Sequence, residues 1–123
     1  MKWFIASDIH GSAYYCRRML ERYKKENADR LLLLGDVLYH GPRNDLPNGY
    51  APKEVIEMLN AIKDDILCVR GNCEAEVDQM VLKFPVLADY AIIDLGDSLI
   101  YATHGHIYLS LIHISEPTRL LSI

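Results

Sequence analysis

The sequence predicts a mixed α/β sandwich, and three observations support this prediction. Short apolar runs typical of strands alternate with segments whose apolar residues recur at helical spacing. The run at 31–34 is continuously apolar, as expected of a central strand that is covered on both faces. The last two apolar runs are separated by Gly96-Asp97-Ser98, which favours a hairpin. A βαβαβ order followed by a hairpin is typical of a mixed α/β sandwich.

The N-terminal half contains two predicted strands and one predicted helix. The first strand covers 2–6, and Ser12 can cap the helix that follows. That helix has a stripe of apolar residues at i, i+3, i+4 and i+7, namely Cys16, Met19, Leu20 and Tyr23. The second strand is predicted at 31–34. The segment 40–49 is rich in Gly, Pro and Asn and is predicted to be a loop.

The second half begins with a helix predicted from Pro52, because the fixed φ of proline suits the first helical turn. Its apolar stripe comprises Val55, Ile56, Leu59 and Ile62. A strand over 66–69 and a short helix over 76–82 follow. The predicted hairpin then pairs 90–95 with 99–102.

Composition limits the class of protein. The 123 residues suit one domain, and half of them are apolar. The net charge of -4 provides no basic stripe for general nucleic-acid binding. The longest apolar runs are far shorter than the roughly 18 residues of a membrane span. The start of the chain is interpreted as lacking a signal peptide, so we expect a cytoplasmic protein. The sequence does not predict its oligomeric state.

The three cysteines are Cys16, Cys68 and Cys73. Their number is odd and they form no C-x-x-C pair, which argues against a disulfide framework or a thiolate zinc site. Cys16 and Cys68 are predicted to be small core residues.

Polar residues follow four of the five predicted strands. Asp8 and His10 follow the first, Asp36 the second, Asn72 the third and His104 the last. Ligands of open α/β sheets bind outside the carboxyl ends of the strands, so these side chains are predicted to converge on one metal site. Asp8 and His10 are two residues apart and are expected to lean to the same side. Carboxylate, imidazole and amide donors suit Mn, Fe, Zn or Mg.

Each of these residues taken alone has a simpler explanation. Asn72 after Gly71 is a common turn pair, Asp8 can be a strand-end turn residue, and His10 can cap a helix. Four such groups in order, each after a strand, favour the metal site.

The D-x-H, G-D, G-N and H-G-H series resembles the calcineurin-like metallophosphoesterase superfamily, and residues 36–44 resemble its small bacterial phosphodiesterase branch. The similarity covers residues 1–108. It implies a metallophosphoesterase-type mixed β-sandwich flanked by helices, incomplete at the C-terminus of this chain.

The resemblance also implies two divalent metal ions, with manganese the first expectation and Fe, Zn or Mg as alternatives. Asp8 and His10 would bind the first ion, Asp36 would bridge both, and Asn72 and His104 would bind the second. The implied reaction is hydrolysis of a small phosphodiester by hydroxide held between the two ions, without a covalent enzyme intermediate.

Further site residues are expected beside these ligands. His40 and Arg43 follow the bridging carboxylate, where Arg43 can clamp phosphate and His40 can assist the leaving group. A plain surface arginine beside Pro42 is an equal alternative. His106 and Cys73 are expected to lie around the ligands and orient them rather than bind metal. Many relatives have histidine at the position of Cys73 and a second aspartate at that of Tyr39.

The family pattern also contains G-H-x-H, and this chain has Gly105-His106-Ile107-Tyr108 instead. Residues 109–123 resemble translated sequencing adapter and are predicted to be an artefact tail. We therefore expect the chain as written to be inactive and to fold poorly. The alternative function is a non-catalytic interaction module on the same fold. The five predicted ligands favour catalysis, because such a module has no need of them.

Overall fold

The computed structural model describes residues 1–41 and 45–105, and the backbone of 120–121. The strands are β1 (Trp3–Ala6), β2 (Arg30–Leu33), β3 (Ile66–Cys68), β4 (Ala91–Asp94), β5 (Leu99–Ala102) and β6 (Leu120–Leu121). The α-helices are α1 (Ala13–Lys25), α2 (Pro52–Asn60) and α3 (Glu76–Val81), and a 3₁₀ turn covers Lys63–Asp65. The predicted elements are confirmed with ends that differ by one or two residues. The 3₁₀ turn was not predicted.

Two three-stranded sheets form the sandwich. The first has the order β1-β2-β3 with all strands parallel, so that Leu31 lies between Phe4 and Ile66. The second has the order β4-β5-β6. Its β4 and β5 form the predicted antiparallel hairpin, and β6 pairs parallel to β5. That 109–123 is an artefact tail stays a prediction.

Strand β2 is buried on both faces, as its continuous apolar run predicted. Leu31 and Leu33 pack into the core beneath the helices, whereas Leu32 and Leu34 pack with Ile93 of the second sheet. All four leucines are fully buried. Burying one such side chain contributes about 1.5–3 kcal/mol, so β2 anchors both layers and fixes where its C-terminal end emerges.

Helix α1 begins at the predicted cap. The Ser12 hydroxyl accepts a hydrogen bond from the Tyr15 amide over 3.1 Å and donates to the Asn48 carbonyl over 2.5 Å. Arg22, Lys24 and Lys25 lie in the last turn, where positive charge is favourable to the helix dipole. Ser12, two residues after His10, therefore fixes the start of α1 at Ala13. None of the helices in the described ranges is long and apolar enough to span a bilayer.

The thiols of Cys16 and Cys68 are buried, as predicted. Burial raises the pKa of Cys16 to about 11 and also raises that of Cys68. The thiolate is the reactive form, so both residues should resist alkylation in the folded chain.

We expect iodoacetamide to modify Cys16 and Cys68 at least roughly tenfold more slowly in the folded chain than in urea. Peptide mass spectrometry after timed quenching measures each rate. Cys73 has a similarly raised pKa but is only half-buried, so it serves as the internal control, and its rate should differ less between the folded chain and urea. An equal slowing of all three thiols by folding would contradict the described core.

Candidate metal centre

The predicted ligands lie on loops at the carboxyl ends of the strands. Backbone hydrogen bonds join the loop after β1 to the loop after β2. The Asp8 amide donates to the Gly35 carbonyl over 3.0 Å, and the His10 amide donates to the Asp36 carbonyl over 2.8 Å. These loops therefore run side by side.

The loop backbone is left-handed at three of the predicted ligands. The φ angles of Asp8, His10 and Asp36 are 60°, 51° and 54°. Within the described ranges, Asn27, which follows the end of α1, is the other non-glycine residue with positive φ. Each such position costs about 1–3 kcal/mol, and such strain clusters at functional sites. Asp8 and His10 thus approach each other through a turn, because β1 ends at Ala6, and not through the expected alternation of a strand.

The side chains converge on the carboxylate of Asp36, which is only 2 % exposed. Its Oδ2 lies 3.7 Å from Nε2 of His10 and 3.3 Å from Nε2 of His104. Nε2 of His10 also lies 3.1 Å from Oδ1 of Asp8. The donor atoms of Asp8, Asp36 and His104 lie within 4.8 Å of one another, as do those of His10, Asp36 and Cys73. These two groups overlap at Asp36.

Backbone carbonyls orient both histidines. Nδ1 of His10 lies 2.7 Å from the Tyr39 carbonyl oxygen, and Nδ1 of His104 lies 2.7 Å from that of Leu34. Because a carbonyl only accepts, Nδ1–H is the donor in each case. This tautomer places the Nε2 lone pair of each ring towards Asp36, as metal-binding histidines require.

The amide of Asn72 directs one polar atom at Asp36 and His104. If that atom is nitrogen, it donates to Oδ2 of Asp36 over 2.7 Å and to Nε2 of His104 over 3.1 Å. If it is oxygen, it faces only acceptor atoms, an arrangement that a bound cation satisfies. The amide can therefore stabilise the centre without a cation and bind one when it is present.

Glu74 supports this centre, and the sequence analysis did not identify it. Its buried carboxylate accepts hydrogen bonds from the amides of Asp36 (2.8 Å), Val37 (2.8 Å) and Gly71 (2.6 Å). Burial raises the pKa of Glu74, while the three amides act in the opposite direction. Glu74 therefore joins the loop that carries Asp36 to the loop that carries Asn72. Its position two residues after Asn72 was the available signal.

Two glycines allow these loops to touch. A Cβ atom on Gly71 would lie 2.3 Å from Oδ1 of Asp36, and one on Gly35 would lie 2.3 Å from the Gly71 nitrogen. A larger residue at Gly71 would displace the central carboxylate, and one at Gly35 would displace the backbone of Gly71.

The remaining predicted site residues are Cys73, His40, Arg43 and His106, and the first two lie within the described ranges. The amide of Cys73 donates to Oδ1 of Asp36 over 2.9 Å, and burial together with the charge of Asp36 raises the pKa of its thiol to about 11. The His40 ring packs between Tyr39 and Tyr50, with centroid distances of 4.9 Å and 5.5 Å. Arg43 and His106 lie outside the described residues, so their expected roles stay predictions.

The chain belongs to the calcineurin-like phosphoesterase family, whose sequence profile matches residues 1–122. Among curated proteins it is similar to phosphodiesterase YfcE of Escherichia coli (strain K12), with 49% identity over 108 residues. This alignment covers 88% of the chain and 59% of the relative. The chain therefore spans less than two thirds of the length of this relative.

Solved structures agree with the family and the predicted fold class. The structure of the phosphoesterase Yfce from E. coli matches with a TM-score of 0.85 and 50% identity, covering 87% of this chain and 59% of that chain. An archaeal phosphodiesterase matches with a TM-score of 0.66 over 99% of this chain and 82% of that chain. Its 17% identity supports the fold alone. The predicted mixed α/β sandwich is confirmed.

Replacing Glu74 with alanine removes the acceptor for three amides. We expect Glu74→Ala to lower the free energy of unfolding by about 3 kcal/mol, because hydrogen bonds to charged groups are strong and the amides stay partly buried. Urea denaturation measures this change. The exposed Glu57 of α2 provides the control, and Glu57→Ala should change stability by less than about 0.5 kcal/mol. Equal losses in the two variants would disprove the supporting role of Glu74.

Proposed function

We propose that this chain carries the metal centre of a metal-dependent phosphodiesterase. The observation that carries the proposal is the convergence of two donor groups on one buried carboxylate, that of Asp36. The curated relative named phosphodiesterase supports a small phosphodiester as the substrate.

The donor chemistry fits two divalent ions. Asp8, Asp36 and His104 supply one group of oxygen and nitrogen atoms, and His10, Asp36 and Cys73 form the other. We propose manganese as the resident metal, because carboxylate and imidazole donors suit it. We propose that Asp36 bridges the ions, that Asp8 and His10 bind the first, and that His104 binds the second together with Asn72, whose amide lies beside it and contributes a neutral oxygen.

When bound, two such ions polarise a phosphoryl oxygen and lower the pKa of bound water. The chain contributes geometry to this chemistry. The Tyr39 and Leu34 carbonyls hold the two imidazoles by their Nδ1–H groups, so that no ring has to turn when substrate binds. Glu74 fixes the loops of Asp36 and Asn72 relative to each other.

The leaving group needs a proton or an ion to stabilise it. Cys73 is poorly suited to donate that proton, because the best general acids have a pKa near the operating pH and its thiol has a pKa of about 11. We propose His40 for this role and Arg43 for binding of the phosphate. Esters of acidic alcohols, which leave without much help, should therefore be better substrates than alkyl esters.

These 123 residues supply five of the seven donors that the family pattern implies. We therefore propose that they bind metal weakly and hydrolyse diesters slowly on their own. Loss of a group that only supports a metal ligand typically lowers metal affinity about 10- to 100-fold, so the loss of two direct ligands should lower it at least as much.

The central role of Asp36 predicts a large effect of Asp36→Asn. The substitution keeps the volume and removes the charge shared by both donor groups, so Mn²⁺ affinity should fall roughly 100-fold or more. Isothermal titration of the chain with MnCl₂ measures the affinity. Asp97→Asn, a change at an exposed turn, is the matched control and should bind as the unchanged chain does. Unchanged affinity in Asp36→Asn would end the two-metal proposal.

Free imidazole should substitute for the missing histidines. We expect imidazole to raise hydrolysis of bis(4-nitrophenyl) phosphate by the Mn²⁺-loaded chain about tenfold or more, since open ligand positions accept an added donor. Release of 4-nitrophenol measures the rate. Asp36→Asn with imidazole is the control and should show no gain. Fast hydrolysis by the chain without imidazole would contradict the proposed weakness.

A further inference from the structure

An apolar hollow lies beside the candidate metal centre. It has a volume of about 280 Å³, and its wall includes Leu38, Tyr39, Tyr50, Cys73 and Val77. A cavity of about 150 Å³ lined by apolar side chains takes up a benzene ring. The hollow is therefore large enough for one substituted aromatic ring.

The aromatic part of the wall is held in place. A Cβ atom on Gly11 would lie 2.6 Å from Cε1 of Tyr50, so the Tyr50 ring packs directly against the backbone next to His10. The Ala51 amide also donates to the Gly11 carbonyl over 2.8 Å. The Tyr50 ring also meets His40 edge-on, at an interplanar angle of 81°. The wall is therefore formed before any ligand arrives.

The hollow shares two residues with the supports of the metal centre. The carbonyl of Tyr39 accepts the hydrogen bond from His10, and the amide of Cys73 donates to Asp36. Both residues also line the hollow. The hollow therefore adjoins the candidate metal centre through these two residues, and an ester arm of a phosphodiester bound at that centre would lie beside it.

The chemistry of the wall favours an uncharged planar group. Tyr39 and Tyr50 offer ring surfaces against which an aromatic ring packs well, edge-on or offset. Asp78 also lines the hollow, but its buried carboxylate accepts a hydrogen bond from the Ala75 amide over 2.7 Å. A second negative charge on the ligand would be unfavourable beside it.

We propose that this apolar hollow binds an uncharged aromatic ring on one ester arm, so that the preferred substrates are aryl or nucleobase-bearing phosphodiesters. Binding of the phosphate rests on the proposed function, whereas binding of the ring rests on the hollow alone. The two parts are therefore separable by experiment.

Ring binding is tested without metal. The probe is 4-fluorophenol, titrated with the chain and followed by ¹⁹F NMR. Val77→Asp places a charge in the wall, whereas Met80→Asp places the same charge on the same helix at an exposed position that does not line the hollow and is the matched control. We expect Val77→Asp to weaken binding of the probe roughly tenfold or more and Met80→Asp to leave it unchanged. No binding, or equal binding to all three proteins, overturns the proposal.

A second titration identifies the ring and separates the two proposals. With Mg²⁺ present, phenylphosphonate should bind more tightly than methylphosphonate, and Val77→Asp should remove most of the difference. Adenosine binding more tightly than 4-fluorophenol would assign the ring to a nucleobase, and the reverse order to a simple aryl alcohol. Intact ring binding with no metal affinity would refute the proposed function alone. Metal affinity with no preference for phenylphosphonate would refute the hollow alone.

Discussion

The candidate centre depends on the carboxylate of Glu74. It accepts amide hydrogen bonds from both loops that carry the inner ligands, at 2.6–2.8 Å, and thereby sets the distance between Asp36 and Asn72. Removing a carboxylate from water is costly, and the cost is offset only when hydrogen bonds satisfy its oxygens. Three amides supply them here. A rigid support of this kind lets the side chains above it keep their positions, which a metal centre needs.

The sandwich explains why these loops meet. β2 lies between β1 and β3, and its alternating leucines are buried against the helices on one face and against the second sheet on the other. Its end cannot shift without loss of packing in both cores. Both neighbouring strands run parallel to β2, so all three strands have their carboxyl ends on the same side of the sheet. Asp36 follows Gly35 at the end of β2, the middle strand, and therefore lies at the centre of that side.

Much of this arrangement follows from patterns that are local in the sequence. Helical spacing predicted α1 and its cap at Ser12, and a continuous apolar run predicted the double burial of β2. The position of polar residues after each strand predicted that Asp8, Asp36 and His104 would come together. Each of these inferences uses residues that are close in the chain or a general property of parallel sheets.

Other features arise only when distant segments meet. Nothing in the local sequence assigns Glu74 to three amides, because two of them, on Asp36 and Val37, lie 38 and 37 residues away. The left-handed backbone at His10 was not predictable either, since glycine is the residue that usually indicates this conformation in a sequence. The apolar hollow combines residues from two separate loops, which follow β2 and β3, and from the first turns of α2 and α3. These features belong to the tertiary structure, so periodicity and motif spacing do not predict them, and the closeness of Glu74 to Asn72 in the sequence signals only its location.

The strained backbone and the carbonyl-held histidines have a common physical meaning. Left-handed φ angles at Asp8, His10 and Asp36 are unfavourable locally, and amide hydrogen bonds between the loops retain them. In this conformation the side chains already face one another, so binding of a cation requires little further ordering of the chain. Ordering costs about 0.5–1.5 kcal/mol for each immobilised side chain, and folding has met that cost beforehand. The strained loops therefore lower the free energy of unfolding, and in return the preformed site should bind a cation more tightly than a disordered one would.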